Sequence, residues 1–274
     1  MIGDDAKVLG VRFHALTRAQ AASEIARLAG EAGPAYVVKP YSEFIPRSQR
    51  DARVREVLNG AALCLADGAG ILWAAHYLSL RGGSLRALLQ FPLSLASLVL
   101  RPTALRSPLP EAMHGVDFTW VMLEALAEAG RSAYLLGGTA DEVAGTEAAI
   151  RERLPALHVT GFRDGYFARG QTPSVVAAVA AANADVLLVA MGFPRQEKFI
   201  ADNLVALGVR VAVAEGGSFS FISGATPRAL PWMRRAGLEW LYRLARQPRR
   251  IRRQLALPVF VWLVLRERLR RQTD

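Results

Sequence analysis

Residues 185–198 read Asp-Val-Leu-Leu-Val-Ala-Met-Gly-Phe-Pro-Arg-Gln-Glu-Lys. After Asp185, the next five residues form a short apolar run with two β-branched valines, which is typical of a buried strand. Gly192 and Pro194 then mark a turn, and the polar residues after them begin a helical pattern. A buried strand followed by a glycine turn and a helix is the repeating unit of a parallel sheet.

The same unit recurs along the chain, so the sequence predicts an α/β fold. Short apolar runs that end in glycine or polar turns predict strands at 35–38, 61–66, 132–136, 185–190 and 209–214. Apolar residues at helical spacing predict helices at 17–30, 69–80, 117–130, 140–153, 173–182 and 195–207. We therefore expect a Rossmann-like, open, mostly parallel sheet with helices on both faces.

The composition is that of a globular protein. The chain has 274 residues, of which 52% are hydrophobic, and this is enough to bury a full core. Its one cysteine, Cys64, lies in an apolar run and is predicted to be a buried core residue, which suits a reducing compartment. The N-terminus shows no secretory pattern, and no apolar run reaches the roughly 18 residues of a spanning helix. These features predict a cytoplasmic protein.

The positive charge is concentrated at the C-terminal end. Positions 228–274 hold 13 of the 34 Lys and Arg residues and 3 of the 24 Asp and Glu residues, whereas 1–227 hold 21 of each. The net charge of +10 therefore belongs to this tail. Such a tail needs an anionic partner: nucleic acid, an acidic membrane surface or substrate phosphates. We expect an α/β domain at 1–227 and a cationic helical appendage at 228–274.

Two apolar segments do not fit a compact core. The segment 84–106 is apolar, interrupted by proline, bordered by arginines and free of acidic residues. This pattern predicts an interfacial membrane segment or, as the alternative, a buried helical hairpin or a contact between subunits. The second segment, 255–265, is too short to span a membrane and is expected to dock on the domain or to lie in the lipid interface.

Polar or glycine residues follow all five predicted strands, and ligands bind at this edge of an open parallel sheet. Asp67 and Gly68 follow the second strand, where glycine lets a ligand approach the carboxylate. Gly137 and Gly138 follow the third, where free backbone N–H groups suit a phosphate. The other turns carry Lys39, Gln196, Lys198, Gly216 and Gly217. Each turn is a weak signal alone, but five on one edge predict a ligand site.

The spacing of residues disfavours several common sites. Gly68-Ala69-Gly70 lacks the third glycine of a dinucleotide fingerprint, and no Gly-Lys-Ser/Thr phosphate loop occurs. These absences disfavour a nucleotide-cofactor oxidoreductase. The four histidines lack metal-ligand spacing, and no Asp-x-Asp pair is present. We therefore expect no metal and no cofactor, and a departing diphosphate would be stabilised by arginines or helix N-termini.

Seven short motifs occur in order along the chain. They are Asp67-Gly68-x-Gly70, Gly115-x-Asp117-Phe118, Leu135-Leu136-Gly137-Gly138, Asp164-Gly165-Tyr166-Phe167, Gly192-x-Pro194-x-Gln196-Glu197-Lys198, Gly216-Gly217-x-Phe219-x-Phe221 and Gly237-Leu238-Glu239-Trp240-Leu241-Tyr242-Arg243. Together they resemble the WecG/TagA/CpsF glycosyltransferases, family 26. The resemblance runs from about residue 35 to 253, which is most of the chain.

The resemblance implies an inverting, metal-independent hexosyltransferase. It would move a hexose or N-acetylhexosamine, such as N-acetylmannosamine, from a UDP-sugar to a polyprenyl-diphosphate-linked sugar in cell-surface polysaccharide or teichoic-acid-type synthesis. Asp67 would be the general base for the acceptor hydroxyl, and Gln196 and Arg243 would complete the catalytic set. The residues implied at the substrates are Lys39, Gly68, Gly137, Gly138, Asp164, Tyr166, Lys198, Gly216, Gly217, Arg228, Arg250 and Arg253.

The resemblance also implies how the protein is placed in the cell. It would be a homo-oligomer, peripheral on the inner face of the bacterial cell membrane. The tail would bind the anionic surface and complete the active site there, with no nucleic-acid partner. A catalytically inactive relative that uses the arginine-rich tail to bind a membrane or RNA stays open as the alternative.

The sequence departs from the family pattern in three places. Lys39-Pro40-Tyr41-Ser42-Glu43 stands where the family often has Thr-x-Asn-x-Glu, so Lys39 becomes a candidate cation for a phosphate. Phe219-Ser220-Phe221 stands where Phe-Asp-Phe is usual, which is a candidate change in donor preference. Residues 84–110 resemble an insertion, with a membrane or a subunit as the candidate contact.

Overall fold

A computed structural model describes residues 5–227 and 255–271. Within these ranges the elements run β1 (Ala6–Val8), β2 (Val11–Phe13), α1 (Arg18–Leu28), β3 (Ala35–Val38), α2 (Ile45–Ser48), α3 (Ala52–Asn59), β4 (Leu63–Cys64), α4 (Ala69–Ser79), α5 (Ser84–Leu100), α6 (Gly115–Glu128), β5 (Ser132–Gly137), α7 (Ala140–Arg153), β6 (His158–Arg163), α8 (Thr172–Ala181), β7 (Val186–Ala190), α9 (Arg195–Asn203), β8 (Val211–Ala214), α10 (Ser218–Ile222) and α11 (Ala256–Arg270). The predictions for Arg228, Arg243, Arg250 and Arg253 fall outside the described residues.

Six strands form one parallel sheet in the order β4-β3-β8-β7-β5-β6. All five residues of β7 and all four of β8 are buried, because helices cover both faces of the central strands. β1 and β2 pair separately as a short antiparallel hairpin. The predicted α/β fold with a Rossmann-like parallel sheet is confirmed.

Successive side chains of each strand point to opposite faces of the sheet, so the protein has two hydrophobic cores, one on each face. In β5, Tyr134 and Leu136 pack into one core and Leu135 into the other. The first core is completed by residues of α3, α4, α8 and α9, and the second by residues of α1, α6 and α7. Cys64 is buried in the first core as predicted, and burial raises the pKa of its thiol. The predicted arrangement of helices on both faces is confirmed.

The segment 84–106 differs from its expectation. Proline was expected to interrupt it, whereas α5 continues through Pro92 as a 17-residue helix. α5 packs on α4, whose Trp73 Nε1 donates a hydrogen bond to Ser94 Oγ at 3.0 Å. These contacts to α4 hold the helix across the position where Pro92 removes a backbone donor.

The other apolar segment docks on the domain with one face. Phe260 and Val264 of α11 are buried, and the Phe260 ring lies 6.2 Å from the Trp73 ring of α4. Trp262 lies on another face of α11 and is 55% exposed. Among the helices in 5–227 and 255–271, none is both long enough and apolar enough to cross a membrane.

Candidate active site

The carboxyl ends of β4, β3, β8 and β7 lie side by side at one edge of the sheet. Asp67, which follows β4, donates its backbone N–H to Pro40 O of the turn after β3 at 3.4 Å. Side-chain contacts then connect the turn after β3 with that after β8, and the turn after β8 with that after β7. Parallel topology therefore brings four of the five predicted turns into one connected edge.

Asp67 is 4% exposed and lies between β4 and the first turn of α4. Gly68 has φ +88°, a left-handed conformation that turns the chain from strand to helix without the strain of a side chain. A Cβ on Gly70 would overlap Ser42 Oγ, so a larger residue there would displace the Ser42 side chain where α4 meets the turn after β3. α4 begins directly after Gly68, so the positive end of its dipole lies beside the Asp67 carboxylate. No side chain caps this helix end. A carboxylate in this position can accept a proton from a hydroxyl group.

Lys39 and Glu215 form a buried ion pair between β3 and β8. Lys39 Nζ lies 2.7 Å from Glu215 Oε1, and the two side chains are 3% and 0% exposed. Thr119 Oγ1 of α6 donates a hydrogen bond to Glu215 Oε2 at 2.6 Å. The ammonium also lies 5.3 Å from the centre of the Phe118 ring. This pair holds the ends of β3 and β8 together. Glu215 already neutralises the charge of Lys39, and a contact between Lys39 and a phosphate remains a prediction.

Gln196 connects the turns after β7 and β8. Its Oε1 accepts hydrogen bonds from Gly192 N and Gly216 N, both at 3.0 Å. Its Nε2 donates to Glu197 Oε1 at 2.8 Å. Both glycines have positive φ, +76° and +64°, which other residues adopt at a cost. The amide of Gln196 therefore fixes the shape of the glycine turns at the edge.

Glu197 is a buried carboxyl group next to this amide. It is 3% exposed, and its Oε2 atom is buried without a hydrogen-bond partner in the described part of the chain. Desolvation by burial raises its pKa to about 7, although the hydrogen bond from Gln196 acts in the opposite direction. Nothing in the sequence indicates that Glu197 is buried. A carboxyl group with a raised pKa was therefore not predicted at this position.

The glycine pair after β5 is tightly packed. Gly138 N donates to Ala190 O at 2.9 Å, and a Cβ on Gly137 would lie 2.3 Å from that same oxygen. At the start of α7, Thr139 N donates to Glu142 Oε2 at 2.8 Å, within a capping box. This carboxylate occupies the helix N-terminus, where a phosphate was expected. The contacts account for both glycines through packing, and their substrate contact remains a prediction.

Three further candidates lie in local polar contacts. Asp164 Oδ1 accepts a hydrogen bond from Tyr166 N at 2.9 Å, and Tyr166 is 75% exposed. Lys198 Nζ lies 3.1 Å from Asp51 Oδ2, which joins α9 to the N-terminus of α3. Asp51 also caps α3 through Val54 N at 3.2 Å. The structure thus brings Asp67, Lys39, Gln196, Gly216 and Gly217 into the connected edge and gives Lys198 a partner at the N-cap of α3.

The family model for the WecG/TagA/CpsF glycosyl transferases matches residues 6–90 and 92–274. The chain belongs to this family. It is also 35% identical over 160 residues to the N-acetylglucosaminyldiphosphoundecaprenol N-acetyl-beta-D-mannosaminyltransferase of Bacillus subtilis strain 168, covering 58% of this chain and 61% of that protein. A protein of the same name from Bacillus spizizenii strain W23 is 27% identical over 232 residues, 85% of this chain and 79% of that protein.

Membership of the WecG/TagA/CpsF glycosyl transferase family confirms the resemblance. Three of its motifs, at 67–70, 192–198 and 216–221, carry the turns that the structure connects. Glu215 and Thr119 were missed as site residues. A buried lysine at a strand end needs an acidic partner, and Glu215, directly after the neighbouring strand β8, could have been found by that requirement.

Replacing Glu197 by glutamine is expected to change how stability depends on pH. Because the pKa rises from an ordinary 4.5 to about 7, the folded protein keeps a proton that the unfolded chain releases in this interval. The contribution of the protonated Glu197 carboxyl to the free energy of unfolding is fully present below pH 4.5. This contribution is lost as pH rises towards about 7. The free energy of unfolding of Glu197→Gln, minus that of the wild type, should therefore rise over this interval and level off above it. Urea unfolding across the interval measures this difference, and a difference that stays constant would contradict the assignment.

Proposed function

We propose that the protein transfers N-acetylmannosamine, or a related N-acetylhexosamine, from a UDP-sugar to polyprenyl-diphosphate-linked N-acetylglucosamine. The observation that carries this proposal is the buried Asp67 carboxylate on the connected edge of a family glycosyltransferase. The names of the two Bacillus relatives support this sugar and this acceptor. The match spans less than two thirds of the Bacillus subtilis relative, 61% of its length.

In the proposed reaction Asp67 acts as general base. Its carboxylate takes the proton of the acceptor hydroxyl as that oxygen attacks the anomeric carbon of the donor. The bond from the anomeric carbon to the UDP oxygen breaks, and UDP departs with the electron pair. Attack from the face opposite UDP inverts the anomeric centre. The acceptor hydroxyl and the donor sugar must therefore both lie within reach of Asp67.

The departing UDP needs positive charge near its diphosphate. α4 and α9 both begin at the connected edge without a side-chain cap, so each offers the positive end of a helix dipole there. The tail residues Arg228, Arg243, Arg250 and Arg253 are proposed to add guanidinium contacts. In 5–227 and 255–271 no group of three or more His, Cys, Asp or Glu side chains could hold a metal ion. We propose that these helix ends and guanidinium groups serve in place of a metal ion at the departing diphosphate.

Other residues of the edge would position the donor. Gln196 would hold the turns at Gly192 and Gly216, and the Lys39–Glu215 pair would hold the strand ends beneath them. Contacts with the substrates are proposed for Gly68, Gly137, Gly138, Asp164, Tyr166, Lys198, Gly216 and Gly217. The enzyme would work on the inner face of the cell membrane, because a polyprenyl acceptor is anchored there. We also propose that it is a homo-oligomer.

Chelation and product stereochemistry test this mechanism together. With UDP-N-acetylmannosamine and a short-chain polyprenyl-diphosphate N-acetylglucosamine acceptor, we expect turnover to be unchanged by excess EDTA. Nuclear magnetic resonance of the product should show an anomeric configuration opposite to that of the donor. Loss of turnover in EDTA that is restored by a divalent cation would contradict the metal-independent reaction, and a retained configuration would contradict direct displacement by the acceptor.

A further inference from the structure

One face of α5 is apolar and exposed along its length. Six large hydrophobic side chains on it are exposed by between 48% and 83%: Leu85, Leu88, Leu89, Leu93, Val99 and Leu100. Pro92 and Ala96, also exposed, lie between them on the same face. At about 1.5 Å per residue, this helix presents an apolar stripe roughly 25 Å long. These eight residues are called the α5 stripe below.

The opposite face of α5 is firmly attached to the domain. Tyr77 OH of α4 donates a hydrogen bond to Ala87 O at 2.9 Å, and Trp73 Nε1 donates one to Ser94 Oγ at 3.0 Å. The Phe91 ring meets the Trp73 and Tyr77 rings edge-on at 6.3 and 5.7 Å. Contacts on both sides of Pro92 therefore fix which face of the helix points outwards. The exposed stripe is a preformed surface of the domain.

The charged residues of α5 and of the chain on either side of it have one sign. Arg81 and Arg86 lie at one end of α5, Arg101 and Arg106 at the other, and all four side chains are exposed. The sequence from Gly68 to Pro110 contains no aspartate or glutamate. An exposed apolar surface of this length marks an interaction site, and arginines at both ends favour an anionic partner.

We propose that the α5 stripe docks on a bilayer that contains anionic lipids, with its leucines in the acyl boundary and its arginines at the lipid phosphates. An apolar helix face with cationic borders is the form that interfacial helices take. This inference rests on the proposed function, because a lipid-linked acceptor must be reached at a membrane. α4 begins two residues after Asp67 and leads directly to α5, so docking would place the candidate base at a fixed position above the lipid.

Two other occupants fit the charges less well. A second copy of the chain seated on the stripe through its own α5 would bring the arginine-bordered ends of two helices together without an acid to pair them. The tail of the same chain is itself cationic, with 13 basic and 3 acidic residues in 228–274. Its helix α11 already packs against α5 and leaves the stripe exposed. The rest of the tail, 228–254, has nine basic residues and one acidic residue, so covering the stripe with it would place like charges together. An anionic lipid surface supplies both the apolar medium and the opposite charge.

A fluorescent label on the stripe tests the proposal directly. Cys64 is 1% exposed, so a Leu93→Cys variant can be labelled at position 93 with an environment-sensitive dye. A Val205→Cys variant is the matched control, since Val205 is 82% exposed and lies outside α5. With phosphatidylglycerol-containing vesicles the label at 93 should shift to the blue and be quenched by lipids that carry a nitroxide on the acyl chain. The label at 205 should do neither, and pure phosphatidylcholine vesicles should give a weaker shift at 93.

Three results would overturn the proposal. A shift that depends on protein concentration and not on vesicles would identify a second copy as the occupant. A shift already present in dilute protein without vesicles would show that the chain covers its own stripe. No shift under any condition would show that the stripe stays in water.

A triple variant separates this inference from the proposed function. Leu85→Gln, Leu89→Gln and Leu93→Gln together should lower the affinity for anionic vesicles roughly 100-fold, because three exposed leucines lose their apolar burial in the bilayer. Turnover with a soluble short-chain acceptor should stay at the wild-type level, because no stripe residue lies on the connected edge. Unchanged vesicle affinity would overturn the docking proposal. An absence of turnover in wild type and variant alike would count against the transferase and leave the docking result intact.

Discussion

Asp67→Asn is expected to lower the rate of sugar transfer by roughly 10²- to 10⁴-fold, the usual contribution of a general base. Asparagine has nearly the same size and can keep hydrogen bonds at this buried turn, but it cannot accept the acceptor proton at neutral pH. The fold should survive, because the change removes a charge without leaving a cavity. Turnover with a short-chain acceptor, together with circular dichroism and thermal unfolding, measures both effects.

Asp202→Asn is the matched control for this experiment. Asp202 is an exposed carboxylate that pairs with Arg53 at 2.7 Å on the protein surface, and it is not part of the connected edge. Its replacement should change neither turnover nor stability appreciably. If folded Asp67→Asn turned over as fast as Asp202→Asn, Asp67 would not be the base.

Lys39→Met is expected to destabilise the protein by about 3–5 kcal/mol, the usual cost of breaking a buried ion pair. Glu215 would be left as a buried carboxylate with Thr119 as a neutral partner. Glu215→Gln should cost a similar amount, because it leaves the ammonium of Lys39 without a counter-charge. The double variant should lose less stability than the sum of the two single changes, since it leaves no unpaired charge. Urea unfolding of all four proteins measures this coupling.

Lys198→Met provides the comparison for a partly exposed pair. Lys198 and Asp51 are 36% and 30% exposed at the side chain, so their interaction is screened by water and should contribute less than about 1 kcal/mol. A Lys39→Met variant no less stable than Lys198→Met would show that the buried pair does not hold the strand ends. Additive single changes would lead to the same conclusion.

The sequence was most informative where strands are fully buried and helices carry local caps. β3 has the predicted ends, and α7 runs over the predicted 140–153 because Thr139 and Glu142 form a capping box that is visible in the sequence. β6 was missed because this edge strand is only partly buried and lacks an apolar run. α5 was not predicted as one continuous helix because Pro92 indicated a break, which the contacts with α4 offset.

The position of the candidate site could also be predicted, but its internal pairing could not. Parallel topology alone places the turns after β3, β4, β7 and β8 at one edge. The partners within that edge are far apart in sequence: Lys39 and Glu215 are separated by 176 positions, and Asp51 and Lys198 by 147. No local pattern encodes such pairs, and each follows from the packing of neighbouring strands or helices.

Acceptor-dependent release of UDP by the full chain, measured across several UDP-sugars, tests the central claim most directly. With a short-chain polyprenyl-diphosphate N-acetylglucosamine acceptor, we expect rapid UDP release from UDP-N-acetylmannosamine or a closely related N-acetylhexosamine donor, and almost none without the acceptor. UDP release that is independent of the acceptor, or no release from any donor by folded protein, would contradict the proposed transferase.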